Sequence, residues 1–237
     1  LAHGHRPWQP AMQIHGCATT RALPNVTRGA ELLTTCPPRM WHVVESRNLR
    51  LYDLQVRWAG YWTLHFQFSD QILVEGVHIW NPSNQSFNGP NGDGIDIDSS
   101  TNALVRDSII DAADDALCIK SGADWLGRHV NRPTANVLFT NIEVRNGHGL
   151  TLGSDCSGGA SNITWRSIFM NGQGPTCTVN GVHTCGNGPG RGAGPGGPHW
   201  KTGRGRGGTW QDIMWDDIYG DVRTLPTFSS YFNSVGL

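Results

Sequence analysis

The chain has 237 residues, a formal net charge of -1, 16% charged residues and 38% hydrophobic residues. That length fits one domain with a substantial core, and the balanced charge excludes a nucleic-acid-binding footprint and a disordered acidic tail. No apolar run reaches the roughly 18 residues needed to span a bilayer, so neither nucleic acid nor membrane is expected as a partner.

The first 40 residues carry Pro, His, Cys and Thr without a period, and only loops or one or two short strands are expected there. Residues 1–10 lack the charged and apolar regions of a signal peptide, which fits a leader already removed or an incomplete start. From residue 46 a pattern sets in: a small or polar residue, then Asn or its equivalent, then alternating apolar positions. It occupies 46–56, 69–79, 100–110, 134–144 and 160–170, with a looser copy at 208–218. Its third positions, Asn48, Gln71, Asn102, Asn136 and Asn162, are separated by 23, 31, 34 and 26 residues.

A repeat of this size marks units that stack because none buries its apolar face alone. Inside each copy the period is near 2 and Val, Ile and Leu dominate, so the unit is built of strands. The expected fold is all-β, a right-handed parallel β-helix, with a β-sandwich as the competing arrangement. The Asn positions are read as corners, where an amide bonds to the coils above and below and tolerates left-handed backbone. Residues 1–237 form one domain in this reading, with an irregular part at 1–40 and a Gly-rich loop insertion at 171–198.

Six cysteines are too few for a disulfide scaffold of this length. Cys177 and Cys185 bracket a short loop as a local clip would, and Cys17 with Cys36 is a second candidate pair. Cys118 lies in an apolar run and is read as a buried small hydrophobe. This usage favours a secreted, extracellular protein. Asn25, Asn84 and Asn162 begin glycosylation patterns, the third on an expected strand where no glycan is expected.

The repeat also orders the chemistry. Asp114 lies 12 residues after Asn102, and His148 lies 12 after Asn136. Equal offsets stack the two side chains on adjacent coils, about 5 Å apart. Asp93 joins the same column if residues 82–91 loop out, so Asp93, Asp114, Asp115 and His148 are expected together. Crowded carboxylates raise each other's pKa, and one of them should keep its proton well above the free value. Glycoside hydrolysis needs a protonated acid beside an ionised carboxylate. Asp96 and Asp98, alternating with Ile95 and Ile97, are read instead as a structural ladder.

Asn91-Gly92-Asp93, Asp114-Asp115, Gly147-His148-Gly149 and Lys201, in this order on such a repeat, resemble the polygalacturonase family of glycoside hydrolases, family 28. The resemblance spans roughly residues 38–222 and implies a β-helix that cleaves α-1,4-galacturonosyl bonds of pectin with inversion. It casts Asp114 as general acid, Asp93 and Asp115 as the groups that activate water, and His148 as support for the acid. Lys201 is cast as a ligand of a substrate carboxylate, and Asn91 is placed with the substrate-binding residues.

Three departures stand out. Gly92 replaces the family's Thr, Ala113 replaces a Gly before the Asp pair, and His199-Trp200-Lys201 replaces Arg-Ile-Lys. His199, charged when protonated at mildly acidic pH, or Arg204 or Arg206, is expected to replace the missing Arg. A decorated or rhamnose-containing pectin therefore stands as an alternative substrate. The chain is short for the family, so fewer coils are expected. A monomer with a pectic polysaccharide as substrate, and with no metal or cofactor, completes the reading. Its rivals are a non-catalytic carbohydrate-binding β-helix and a calcium-dependent lyase.

Overall fold

The structure is a computed structural model that describes residues 39–81, 91–172, 178–179, 182–183 and 194–230. The four proposed disulfide cysteines, Cys17, Cys36, Cys177 and Cys185, lie outside the described residues, as do the glycosylation patterns at Asn25 and Asn84. Two long parallel sheets carry the described chain. The first runs through Trp41–Val44, Leu64–Gln67, Ile95–Asp98, Asp115–Lys120, Gly149–Leu152, Pro198–Lys201 and Thr227–Ser229. The second runs through Arg47–Tyr52, Asp70–Glu75, Thr101–Asp111, Thr134–Asn146, Ala160–Met170 and Trp210–Gly220. The short strands Gln55–Arg57 and His78–Trp80 extend it in the first two coils.

Each coil climbs one rung of the first sheet, turns a corner and climbs one rung of the second, which is a right-handed parallel β-helix. Sequence neighbours in each sheet are hydrogen-bonded neighbours in space, as the repeat requires.

The corner reading fits closely. Asn48, Gln71, Asn102, Asn136 and Asn162 all have φ between 53° and 58°, where a short polar side chain replaces lost backbone bonding. Their amides form a ladder: Asn162 donates to Asn136 at 2.9 Å, Asn136 to Asn102 at 3.0 Å, and Asn102 to Asp70 at 2.7 Å. Asn162 is thereby engaged within a strand. A second left-handed ladder, which the sequence reading did not identify, bends the second sheet at Asp53, Gly76, Asp107, Asn141, Ser167 and Asp217.

The core lies between the sheets. In register, Leu64, Ile95, Leu117 and Leu150 form one inward column, all fully buried. An aromatic column faces them from the second sheet: Phe139 stacks on Trp165 at 5.5 Å, and Trp165 on Trp215 at 4.8 Å and 3° between planes. Each fully buried side chain of this kind stabilises by about 1.5–3 kcal/mol. Among the described residues, one helix, Asp124–Val130, departs from the all-strand pattern. It sits in the turn between Lys120 and Thr134 and ends on Asn131 with φ 49° and ψ 48°. No helix among the described residues is long and apolar enough to cross a membrane.

Candidate active site

The first sheet alternates, so Ile95, Ile97, Leu117 and Ile119 turn inward while Asp96, Asp98, Cys118 and Lys120 turn outward. That outward face is itself buried, because the turn carrying Tyr61 and Trp62 folds over it; Trp62 meets His65 edge to face at 4.8 Å. Beside this cover lies a cleft of about 610 Å³, lined by Asn91, Asp93, Asp114, Asp115, His148, His199 and Lys201 among others. The expected column therefore gathers at one place.

Backbone bonds hold the carboxylates on successive rungs. The Gly94 amide donates to the Asp115 carbonyl at 2.8 Å, which sets Asp93 beside Asp115. The His148 amide donates to the Asp114 carbonyl at 2.7 Å, and His148 Nδ1 lies 2.8 Å from Asp114 Oδ1. The Asn91 amide donates to the other oxygen of Asp114 at 3.2 Å. Glycines flank His148 for steric reasons: Gly149 has φ +99°, and a Cβ there would stand 2.2 Å from the Gly196 carbonyl oxygen.

Asp115 is the most tightly held carboxylate. Lys201 Nζ donates to both of its oxygens, at 2.7 and 2.6 Å, and Thr151 Oγ1 donates to it at 2.9 Å. The Asp115 charge in turn lifts the Lys201 ammonium above its usual range, against the effect of burial. Lys120, with a side chain only 6% exposed, is a group that the sequence reading missed. Its ammonium is 3.4 Å from Asp93, 3.4 Å from Asp96 and 4.0 Å from Asp115, and lies 4.5 Å over the Trp62 ring. The usable signal was alternation: Lys120 shares the outward phase and the rung of Asp98.

Burial, then the neighbouring Asp96, pushes Asp93 well above the ordinary carboxylate range. Burial likewise lifts Asp96 to about 7. Asp114 behaves in the opposite way. Burial would raise it, but the His148 hydrogen bond and charge, with Lys201 and Lys120, outweigh burial and hold it below the usual range. The upward shift in the cluster thus falls on the Asp93 side rather than on Asp114, and burial, ahead of crowding, is its first cause.

The structural reading of Asp98 holds, since it accepts from Gln67 at 2.9 Å and Ser99 at 3.1 Å and pairs with His65 at 3.1 Å. Asp96 has no such ladder. Cys118 is buried with a free thiol.

Two expectations about the missing Arg need correction. Arg204 is exposed and does not line the cleft. His199 lines it, but burial and then Lys201 lower its pKa, so its charge is confined to more acidic solution than expected. Arg206 lines the cleft and is buried, with its guanidinium tied to Asp124 at 3.2 Å and Asp155 at 3.0 Å. Asp93, Asp96 and Cys118 bring donor atoms within 4.8 Å of one another, as do Asp114, Asp115 and His148. A lysine ammonium already stands against each group, so neither is assigned as a metal centre.

Residues 28–184 match the family described as glycosyl hydrolases family 28. A probable polygalacturonase of Vitis vinifera is 29% identical over 133 residues, 55% of this chain and 26% of that one. A polygalacturonase of Penicillium janthinellum is 32% identical over 114 residues, 48% of this chain and 27% of that one. The chain thus spans about a quarter of the length of the curated relatives it matches. Among solved structures, the exopolygalacturonase of Thermotoga maritima superposes with a TM-score of 0.58 at 23% identity, covering 78% of this chain and 37% of that one. The likeness in shape supports the β-helix, and the sequence match carries the kinship: the chain belongs to family 28 of the glycosyl hydrolases.

Proposed function

We propose that this chain hydrolyses α-1,4-galacturonosyl bonds of pectin by an inverting acid–base mechanism. The observation that carries the reading is the meeting of Asp93, Asp114, Asp115, His148 and Lys201 on one cleft in a member of this family. Asp114 is the proton donor to the leaving oxygen. Since the His148 hydrogen bond and charge hold its carboxyl below the usual range against burial, the proton that it delivers has to be supplied to it, and His148 Nδ1 at 2.8 Å is the group placed to pass one. Asp115, held at both oxygens by Lys201, is the principal group that activates water, and Asp93 shares that water once its own proton has left. The proposed substrate belongs to the cell wall, so the site of action is extracellular.

A second reading has one observation in its favour. Lys120, Lys201 and Arg206 are all buried against carboxylates, and His199 stands where the family carries Arg. This leaves less positive charge for a run of uronates and favours a decorated or rhamnose-containing pectin. Reducing-sugar release from polygalacturonate and from rhamnogalacturonan, measured side by side, separates the two, and release from neither overturns both.

Within either reading, Asp114→Asn is expected to lower kcat by about 10²–10⁴-fold, since the amide keeps shape but delivers no proton. An unchanged circular-dichroism spectrum would show that the fold survives. Retained activity in that variant would remove Asp114 from the role.

A further inference from the structure

One pair of groups that the proposed chemistry does not use is Asp96, which does not line the cleft, and Lys120, which does. Asp96 is fully buried, and neither of its oxygens accepts a hydrogen bond among the described residues; the facing cation is Lys120, 3.4 Å from Oδ1. The same ammonium is 3.4 Å from Asp93, whose Oδ1 is also buried without a hydrogen-bond partner among the described residues. One cation thus serves two buried carboxylates on one strand-leading segment, and stands 4.0 Å from a third, Asp115. Trp62 caps it at 4.5 Å and excludes water.

Of the remaining groups around Asp96, Asp115 adds a further negative charge, whereas Cys118 and His65 offer little. Cys118 faces it from the following strand, with a thiol that burial pushes up. His65 faces it from the preceding strand, but burial lowers His65 to about 4 and its Nε2 is engaged with Asp98 at 3.1 Å. Asp93 is therefore lifted by burial first and then by Asp96, the foremost of its charged neighbours; Lys120 acts the other way, and Asp114 and Asp115 add to the lift.

We propose that Asp96 and Lys120 are positioning residues that set the ionisation of Asp93, Asp96 holding a proton on it and Lys120 drawing that proton off. The proposal rests on the reading of Asp93 as a group that must ionise to share the attacking water. Two like charges around one ammonium in a water-poor site cannot both ionise freely, so the pair titrates as a unit. The acidic limb of the rate profile then reports on Asp96, a residue that does not line the cleft.

The test compares the wild type with Asp96→Asn and Lys120→Met. Carbon-13 carboxyl NMR follows the titration of Asp93, and kcat/KM on polygalacturonate is measured against pH. Asp96→Asn is expected to move the Asp93 midpoint and the acidic limb down by on the order of one pH unit, and Lys120→Met to move both up by a similar amount. A fall in kcat at every pH with both midpoints unmoved means that the residues are merely structural and overturns the proposal. If the wild type hydrolyses nothing, the functional reading fails, while the NMR midpoints still decide the coupling. Should one variant not fold, the other reads the same coupling from the opposite side.

Discussion

The two sheets put similar residue types on their outward faces and use them differently. On the first sheet, His65, Asp96, Cys118 and Thr151 are fully buried beneath the cover that carries Trp62. On the second, the outward side chains stand in solvent, where Arg106 pairs with Glu75 and Arg166 with Asp216, both at 2.8 Å and with the side chains more than a third exposed. A charge on the second sheet is solvated whether or not it is paired. A charge on the first must be answered by another protein group, and that obligation ties Asp93, Asp96, Asp115, Lys120 and Lys201 into one network.

The contrast breaks down if charges on the two faces prove equally dispensable. The largest expected effect is for Lys201→Met, which leaves Asp115 buried with Lys120, at 4.0 Å, and the Thr151 hydroxyl to answer it, and should destabilise by roughly 3–5 kcal/mol in a denaturant titration. A loss below 1 kcal/mol would mean that water already reaches Asp115. At the edge of the same face, a Cβ on Gly92 would stand 2.7 Å from the Ala113 Cβ. Gly92→Ala should therefore cost about 1–3 kcal/mol, and adding Ala113→Gly should recover most of it. No recovery in the double variant would show that the clash lies elsewhere. The smallest effect is for Arg166→Ala on the second sheet, about 0–1 kcal/mol and less at high salt, read from the same titration.

The Gly92–Ala113 contact also shows what sequence reading can and cannot reach. Gly for Thr at 92 and Ala for Gly at 113 read as two separate departures from the family pattern. In space they are one contact, a methyl exchanged across neighbouring rungs. The corner ladder was legible because Asn48, Gln71, Asn102, Asn136 and Asn162 recur as similar side chains, and recurrence is what a repeat makes visible. The second ladder was not, because Asp53, Gly76, Asp107, Asn141, Ser167 and Asp217 share a backbone angle rather than a residue type. The column of Asp93, Asp114, Asp115 and His148 followed from equal offsets. Lys120 did not, since an alternating strand gives the outward phase of a residue but not whether a turn from another coil will seal it from water. Arg204 and Arg206 were indistinguishable by type and spacing, and only the packing of Arg206 between Asp124 and Asp155 separates them.

The groups that meet in the cleft come from four consecutive rungs of the first sheet, one after another along the chain. A chain emerging from the ribosome therefore delivers Asp93, Asp114 and Asp115 well before Lys201, the ammonium that both oxygens of Asp115 await. Until that rung docks, Asp115 lacks the two hydrogen bonds that Lys201 gives it in the finished winding. The last lysine thus acts as the clasp that fastens a late rung of the winding to an early one.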